Sequence, residues 1–133
     1  MANKTVFMTG ASGHMGWASF NEIYDKRPDL DIRVLLRDSE KNRKMFAKCL
    51  GDPRVTIIWG DLNDYDSILR GVTGADYVLH IGGMVSPAAD YYPKRTLKTN
   101  VAAAENIVKA VKAQPNKDDI VVVYIGTVAE TGN

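Results

Sequence analysis

The run Thr9-Gly-Ala-Ser-Gly-His-Met-Gly16 constrains this chain more than any other stretch. An apolar segment, Thr5-Val-Phe-Met8, precedes it and reads as a buried strand, and helical spacing follows from His14 to about Asp25. Gly10, Gly13 and Gly16 therefore stand where a strand hands over to a helix. Backbone without side chains can turn sharply there and approach a ligand. The free N–H groups that open the helix then face the turn, with the positive end of the helix dipole behind them, an arrangement that cradles a pyrophosphate. The spacing G-x-x-G-x-x-G differs from the dinucleotide fingerprint G-x-G-x-x-G. The context still matches: a strand before, a helix after, and a second strand ending at Arg37-Asp38, close to the roughly 20 residues expected downstream.

The remaining chain alternates strands with helices, without repeat, linker or low-complexity segment. The first helix presents Met15, Ser19, Phe20 and Ile23 as a sheet-facing stripe and stops before Pro28. A strand over Ile32 to Leu36 is apolar except for Arg33. Ser39 caps a helix expected to run through Leu50, with Met45, Phe46, Cys49 and Leu50 on one face and Gly51 as its stop. Val55 to Trp59 forms the third strand. Asn63 or Asp64 caps a short helix that carries Ile68, Leu69 and Val72 inward and is closed by Gly71 or Gly74. Tyr77 to Ile81 is strand four, and an irregular stretch lies between Gly82 and Pro93. The longest helix, Lys94 to about Ala113, repeats Leu97, Val101, Ala104, Ile107, Val108 and Val111 at helical spacing, and Ile120 to Ile125 is strand five. Such alternation makes a parallel sheet with helices on both faces, because each crossover returns the chain to the same end. Ligands of these sheets bind at the carboxyl ends of the strands near the reversal of strand order, here the loops after strands one and four.

Length and charge exclude other classes. A chain of 133 residues is one domain that buries about two-thirds of its unfolded surface. A formal net charge of +1 leaves no electrostatic footprint for nucleic acid or an acidic membrane. Cys49 is the single cysteine, and with His14 and His80 it has no metal-ligand spacing. No apolar run approaches the roughly 18 residues of a membrane span, and Met-Ala-Asn-Lys enters a strand without a signal-peptide core, so a reducing cytoplasm is expected.

The glycine turn resembles the phosphate turn of the extended short-chain dehydrogenase/reductases, the branch that holds NAD-dependent epimerases and dehydratases and the dihydroflavonol-reductase-like enzymes. Gly60-Asp61-Leu62, His80-Ile81-Gly82-Gly83, Thr99-Asn100-Val101 and Val123-Tyr-Ile-Gly-Thr127 follow in family order and cover nearly the whole chain. The resemblance implies a doubly wound, Rossmann-like α/β fold with strand order 3-2-1-4-5. It also implies an NADP cofactor, with NAD as the alternative, and hydride transfer to or from a carbonyl or carbinol carbon, on a small-molecule carbonyl or sugar-nucleotide-like substrate.

Site residues follow from the same resemblance. Gly10, Ser12, Gly13, His14, Met15 and Gly16 surround the phosphates, although His14 also reads as a plain exposed loop residue. Arg37, at the end of strand two, can pair its planar guanidinium with a 2′-phosphate, whereas Asp38 can accept from a free 2′-hydroxyl. Ser39, Lys41 and Arg43 can add donors or serve as a solvated face. Asp61 and the Leu62 amide meet the adenine, against the alternative of an Asp closing a turn. Gly82 and Gly83 let the backbone pass a ribose, while His80 reads first as a hydrogen-bonded packing residue. Asn100 supports the active site or simply bonds within its helix. Thr127 aligns with the catalytic Ser/Thr that polarises substrate, although Gly126 replaces the usual Ser before it. Tyr91, Tyr92, Lys94 and Arg95 lie where substrate contacts are expected.

The family's proton donor is a Tyr with a Lys four residues later that lowers its pKa. No Tyr-x-x-x-Lys occurs in the 133 residues; Tyr91 is followed at that spacing by Arg95. The expectation is a cofactor-binding N-terminal portion, cut before its acid–base pair and inactive alone. The rival is a free-standing dinucleotide-binding or sensing module, and a vestigial doubly wound domain is the third reading. Without a following strand, strand five would also offer an apolar edge for self-association.

Overall fold

The computed structural model describes residues 3–81 and 93–125, with side chains for all of these except 93–102 and Ile125. The elements follow in the order β1 (Lys4–Thr9), α1 (His14–Lys26), β2 (Leu30–Leu36), α2 (Glu40–Met45), β3 (Val55–Trp59), α3 (Tyr65–Val72), β4 (Tyr77–Ile81), α4 (Pro93–Lys112) and β5 (Val121–Ile125). All strand pairs are parallel and the sheet order is β3-β2-β1-β4-β5, as the resemblance implies.

Side chains alternate across the sheet with a period of two, so a strand covered on both faces must be apolar throughout. Val6 and Met8 of β1, with Ile32, Val34 and Leu36 of β2, face the side covered by α1 and α2. Phe7 and Leu35 face the opposite side, against Ile68 and Val72 of α3 and Ile107 and Ala110 of α4. On the first side Trp17, Phe20, Tyr24 and Phe46 form a chain of ring contacts, with centroids 4.9–5.8 Å apart. Arg33 fits its strand because its guanidinium donates to the carbonyls of Gly71 and Thr73 and so satisfies the C-terminal end of α3.

Three expectations require correction. Met15 does not face the sheet; it is 44% exposed, and Gly16 takes the buried position one residue on, because the first turn of α1 lies over the backbone of Gly10. The second helix does not reach Leu50. Phe46 leaves helical geometry at φ −101° and ψ 14°, and the chain tightens into a 3₁₀ turn at Ala47–Cys49. That turn buries Cys49 and leaves Leu50 67% exposed. Val108 of α4 is likewise half-exposed, whereas Ala103, Ile107 and Ala110 make the buried stripe. Asp64, rather than Asn63, caps α3 through its carboxylate and the Asp66 amide, and Gly74 ends that segment at φ +79°. Gly71 lies inside α3, where an added Cβ would stand 2.2 Å from the buried Phe7 ring. Among the described residues no helix is long and apolar enough to cross a membrane.

Candidate functional site

The site begins at the carboxyl end of β1. Gly10 adopts φ +72°, the left-handed region that favours glycine, and a Cβ there would lie 1.7 Å from the carbonyl oxygen of Ile81. Gly16 has ordinary helical backbone but no room, since its Cβ would lie 1.8 Å from the Gly10 oxygen. These two glycines let β1 turn back tightly over the end of β4. Gly13 differs: it is exposed, and a Cβ there would meet only the Gly10 oxygen, at 3.5 Å.

Gly13 is also the N-cap of α1, and no side chain caps that helix, nor does any acidic residue stand in its first turn. The other early helices are closed by their own residues: Ser39 Oγ accepts from the Asn42 amide, and Asp64 accepts from the Asp66 amide. The N-terminal end of α1, where His14 and Met15 are exposed, is therefore the one of the three whose amides receive no side-chain acceptor.

A cleft of about 250 Å³ continues from this turn across the ends of β2 and β3. Gly10, Ser12, Leu35, Leu36, Arg37, Asn42, Gly60 and Leu62 line it. Three leucines and the backbone of two glycines share its lining with the polar side chains of Ser12, Arg37 and Asn42. The Arg37 side chain is 77% exposed and its Nε lies 3.8 Å from an Asp61 carboxylate oxygen, an exposed contact of small energetic weight. The other Asp61 oxygen accepts from the Asn63 amide at 2.9 Å, so the turn-closing reading of Asp61 is realised, with one oxygen still facing Arg37.

Two residues that the motifs did not point to hold the cleft in shape. Asn42 is buried and donates through Nδ2 to the Arg37 carbonyl at 2.8 Å, fixing the end of β2. Asn106 of α4 donates to the Leu62 carbonyl at 3.1 Å and pins the loop after β3. A polar residue expected on a buried helical face is the only signal by which either could have been found.

His80 faces inward beside the turn, 3% exposed, with Nδ1 2.6 Å from Thr9 Oγ1. Burial pushes its pKa down to about 4, so the ring is neutral at pH 7 and shares one hydrogen bond between Nδ1 and the Thr9 hydroxyl. The expected packing role is therefore realised, and the bond ties the ends of β1 and β4 together. Gly82, Gly83, Tyr91, Tyr92 and Thr127 lie outside the described residues, and Asn100, Lys94 and Arg95 are described only as backbone of α4.

A model of the NAD dependent epimerase/dehydratase family matches residues 6–133. A UDP-glucose 4-epimerase of Rickettsia bellii (strain RML369-C) is 33% identical over 112 residues, which make up 81% of this chain and 33% of that protein. The chain thus spans about a third of the length of the curated relatives it matches. Among solved structures, Pen from Bacillus thuringiensis is similar with a TM-score of 0.74 at 25% identity, over 92% of this chain and 36% of that one. The DesIV double mutant, a dTDP-glucose 4,6-dehydratase from Streptomyces venezuelae with NAD and DAU bound, shares the fold with a TM-score of 0.68 at 23% identity, over 81% of this chain and 36% of that one. The glycine turn, the parallel sheet and a family match running from Val6 to Asn133 agree: the chain belongs to the NAD dependent epimerase/dehydratase family.

Proposed function

We propose that these 133 residues are the dinucleotide-binding portion of an oxidoreductase or epimerase/dehydratase, and that NADP is the preferred cofactor. The observation that carries this reading is the start of α1: an uncapped helix N-terminus above a turn whose exposed glycine, Gly13, is not required by the turn itself. Amides that no side chain has claimed, beside a residue without a side chain, favour the close approach of phosphate oxygens. The pyrophosphate would take the amides after Gly13, and the adenine would lie in the cleft between Leu36 and Leu62. Arg37 would meet the 2′-phosphate with its fork. When bound, the nicotinamide supplies the capacity to accept or give a hydride at its C4. This chain's own residues bind and orient it. The roles of Gly82, Gly83 and Asn100 beside the ribose, and of Thr127 in polarising a carbonyl or sugar-nucleotide-like substrate, belong to the same proposal, as does a reducing cytoplasm for the buried free thiol of Cys49.

Calorimetric titration with NADP and NAD tests the reading. NADP is expected to bind more tightly, and Arg37→Gln should weaken NADP by roughly tenfold to a hundredfold, the worth of hydrogen bonds to a charged group, while leaving NAD unchanged. Binding of neither nucleotide would overturn the assignment.

We also propose self-association through β5. This strand pairs with β4 on one side only among the described residues, and Val121, Val122 and Val123 stay about half exposed. Apolar edges of this kind pair with other chains. Light scattering at increasing concentration should show a rising mass; a monomer throughout would refute the idea.

A further inference from the structure

One residue beyond Arg37, Asp38 carries the carboxylate that a free 2′-hydroxyl would attract and a 2′-phosphate would avoid. The structure holds it elsewhere. Arg43 Nε donates to one Asp38 oxygen at 2.6 Å and Nη2 donates to the other at 3.0 Å, a two-point fork from α2 back to the loop before it. The Arg43 guanidinium lies 4.6 Å from the centroid of the Trp59 ring. Trp59 pairs with Leu36 at the end of the sheet, so the fork rests on a fixed platform. With both oxygens engaged, the Asp38 carboxyl is held below the usual carboxylate range by Arg43. Arg37 lines the cleft and Asp38 does not.

Resting on the reading above that a dinucleotide occupies this cleft, we propose that Arg43 determines cofactor preference through Asp38. By holding the acidic side chain in a fork whose guanidinium rests on Trp59, it leaves the Arg37 guanidinium as the group that meets the 2′ position. Arg43 is then a positioning residue. A released Asp38 would repel a 2′-phosphate and accept from a 2′-hydroxyl, and both changes favour NAD.

Titrating NADP and NAD into the wild type, Arg43→Gln, Asp38→Asn and the double variant tests this. Arg43→Gln is expected to lower the preference for NADP over NAD about threefold to fivefold, the worth of one exposed two-point pair. In the Asp38→Asn background the same change should leave the ratio unmoved, because no carboxylate remains to be released. Arg43→Lys, which keeps the charge but loses the fork, should give an intermediate ratio. A purely structural role would shift thermal midpoints and both affinities together rather than their ratio. Equal losses in the two backgrounds would mean that Arg43 touches the phosphate itself and would overturn the proposal, as would an unchanged ratio in Arg43→Gln. If the wild type binds neither nucleotide, the reading of the cleft falls and this inference with it; binding with additive losses removes the inference alone.

Discussion

Gly16→Ala is expected to abolish dinucleotide binding and to lower the thermal midpoint by about ten degrees. The added Cβ would lie 1.8 Å from the Gly10 oxygen, 2.6 Å from the Gly10 carbonyl carbon and 2.9 Å from the Ala11 Cα. All three are backbone atoms, so no flexible side chain can yield. Either the turn opens or α1 lifts from it. Over-packing of this kind costs up to about 3 kcal/mol, and for a domain of this size that is roughly ten degrees. The same displacement separates the helix amides from the place where phosphates would sit, and about 3 kcal/mol of misplacement in the bound state is already a hundredfold in affinity. Gly13→Ala is the informative control. Its backbone, φ −78° and ψ 172°, suits any residue, and its Cβ meets nothing closer than 3.5 Å. The protein should therefore fold with an unchanged midpoint and still bind dinucleotide more weakly, since only a ligand would meet that methyl group. Unchanged affinity in Gly13→Ala would remove the argument that this glycine serves phosphate. Normal folding and binding in Gly16→Ala would show that the turn tolerates a shift that the geometry forbids.

The contrast among the three glycines explains what the sequence could and could not convey. Their spacing marked a strand-to-helix turn, but not that Gly10 needs its φ, that Gly16 needs space, and that Gly13 needs neither. The strands were legible because a parallel sheet covered on both faces demands unbroken apolar runs, and Val55–Trp59 and Tyr77–Ile81 have the expected bounds. Helix faces were less so. A hydrophobic stripe counts side chains and gives a glycine no weight, so it points to Met15 although Gly16 occupies the buried position where α1 crosses the turn. The end of α2 was hidden for a different reason. Phe46 is drawn between Trp17 and Phe20, with centroids 4.9 Å and 5.1 Å away, and this tertiary packing ends the helix before its local pattern does. The roles of Asn42 and Asn106 are not legible in the sequence because their partners are backbone carbonyls 5 and 44 residues distant, which no motif encodes.

His80 supplies the second large effect, and its sign is opposite to that of a histidine paired with a carboxylate. The ordinary pKa of 6.5 falls to about 4 in the folded protein because burial disfavours the imidazolium. Between those values the unfolded chain binds a proton that the native state does not, so stability falls as pH is lowered through 6.5 and continues to fall toward 4. Above pH 6.5 the contribution is complete. From pH 7.5 to 4.5 the expected loss is about 2–3 kcal/mol, read as a lower urea midpoint at constant slope. The carboxylates that are held below their usual range, exposed Asp29 and Asp38 by arginines and half-buried Asp52 by Tyr24, lose their contribution only at lower pH. His80→Gln should flatten the profile, at the cost of a lower plateau from the altered bond to Thr9. In the folded protein the ring takes up its proton only near pH 4, so dinucleotide affinity should hold while the midpoint falls and decline only as pH approaches 4, where the contact with Thr9, one residue before Gly10, changes. A flat wild-type midpoint from pH 7.5 to 4.5 would mean that burial does not hold the imidazole neutral in the folded protein.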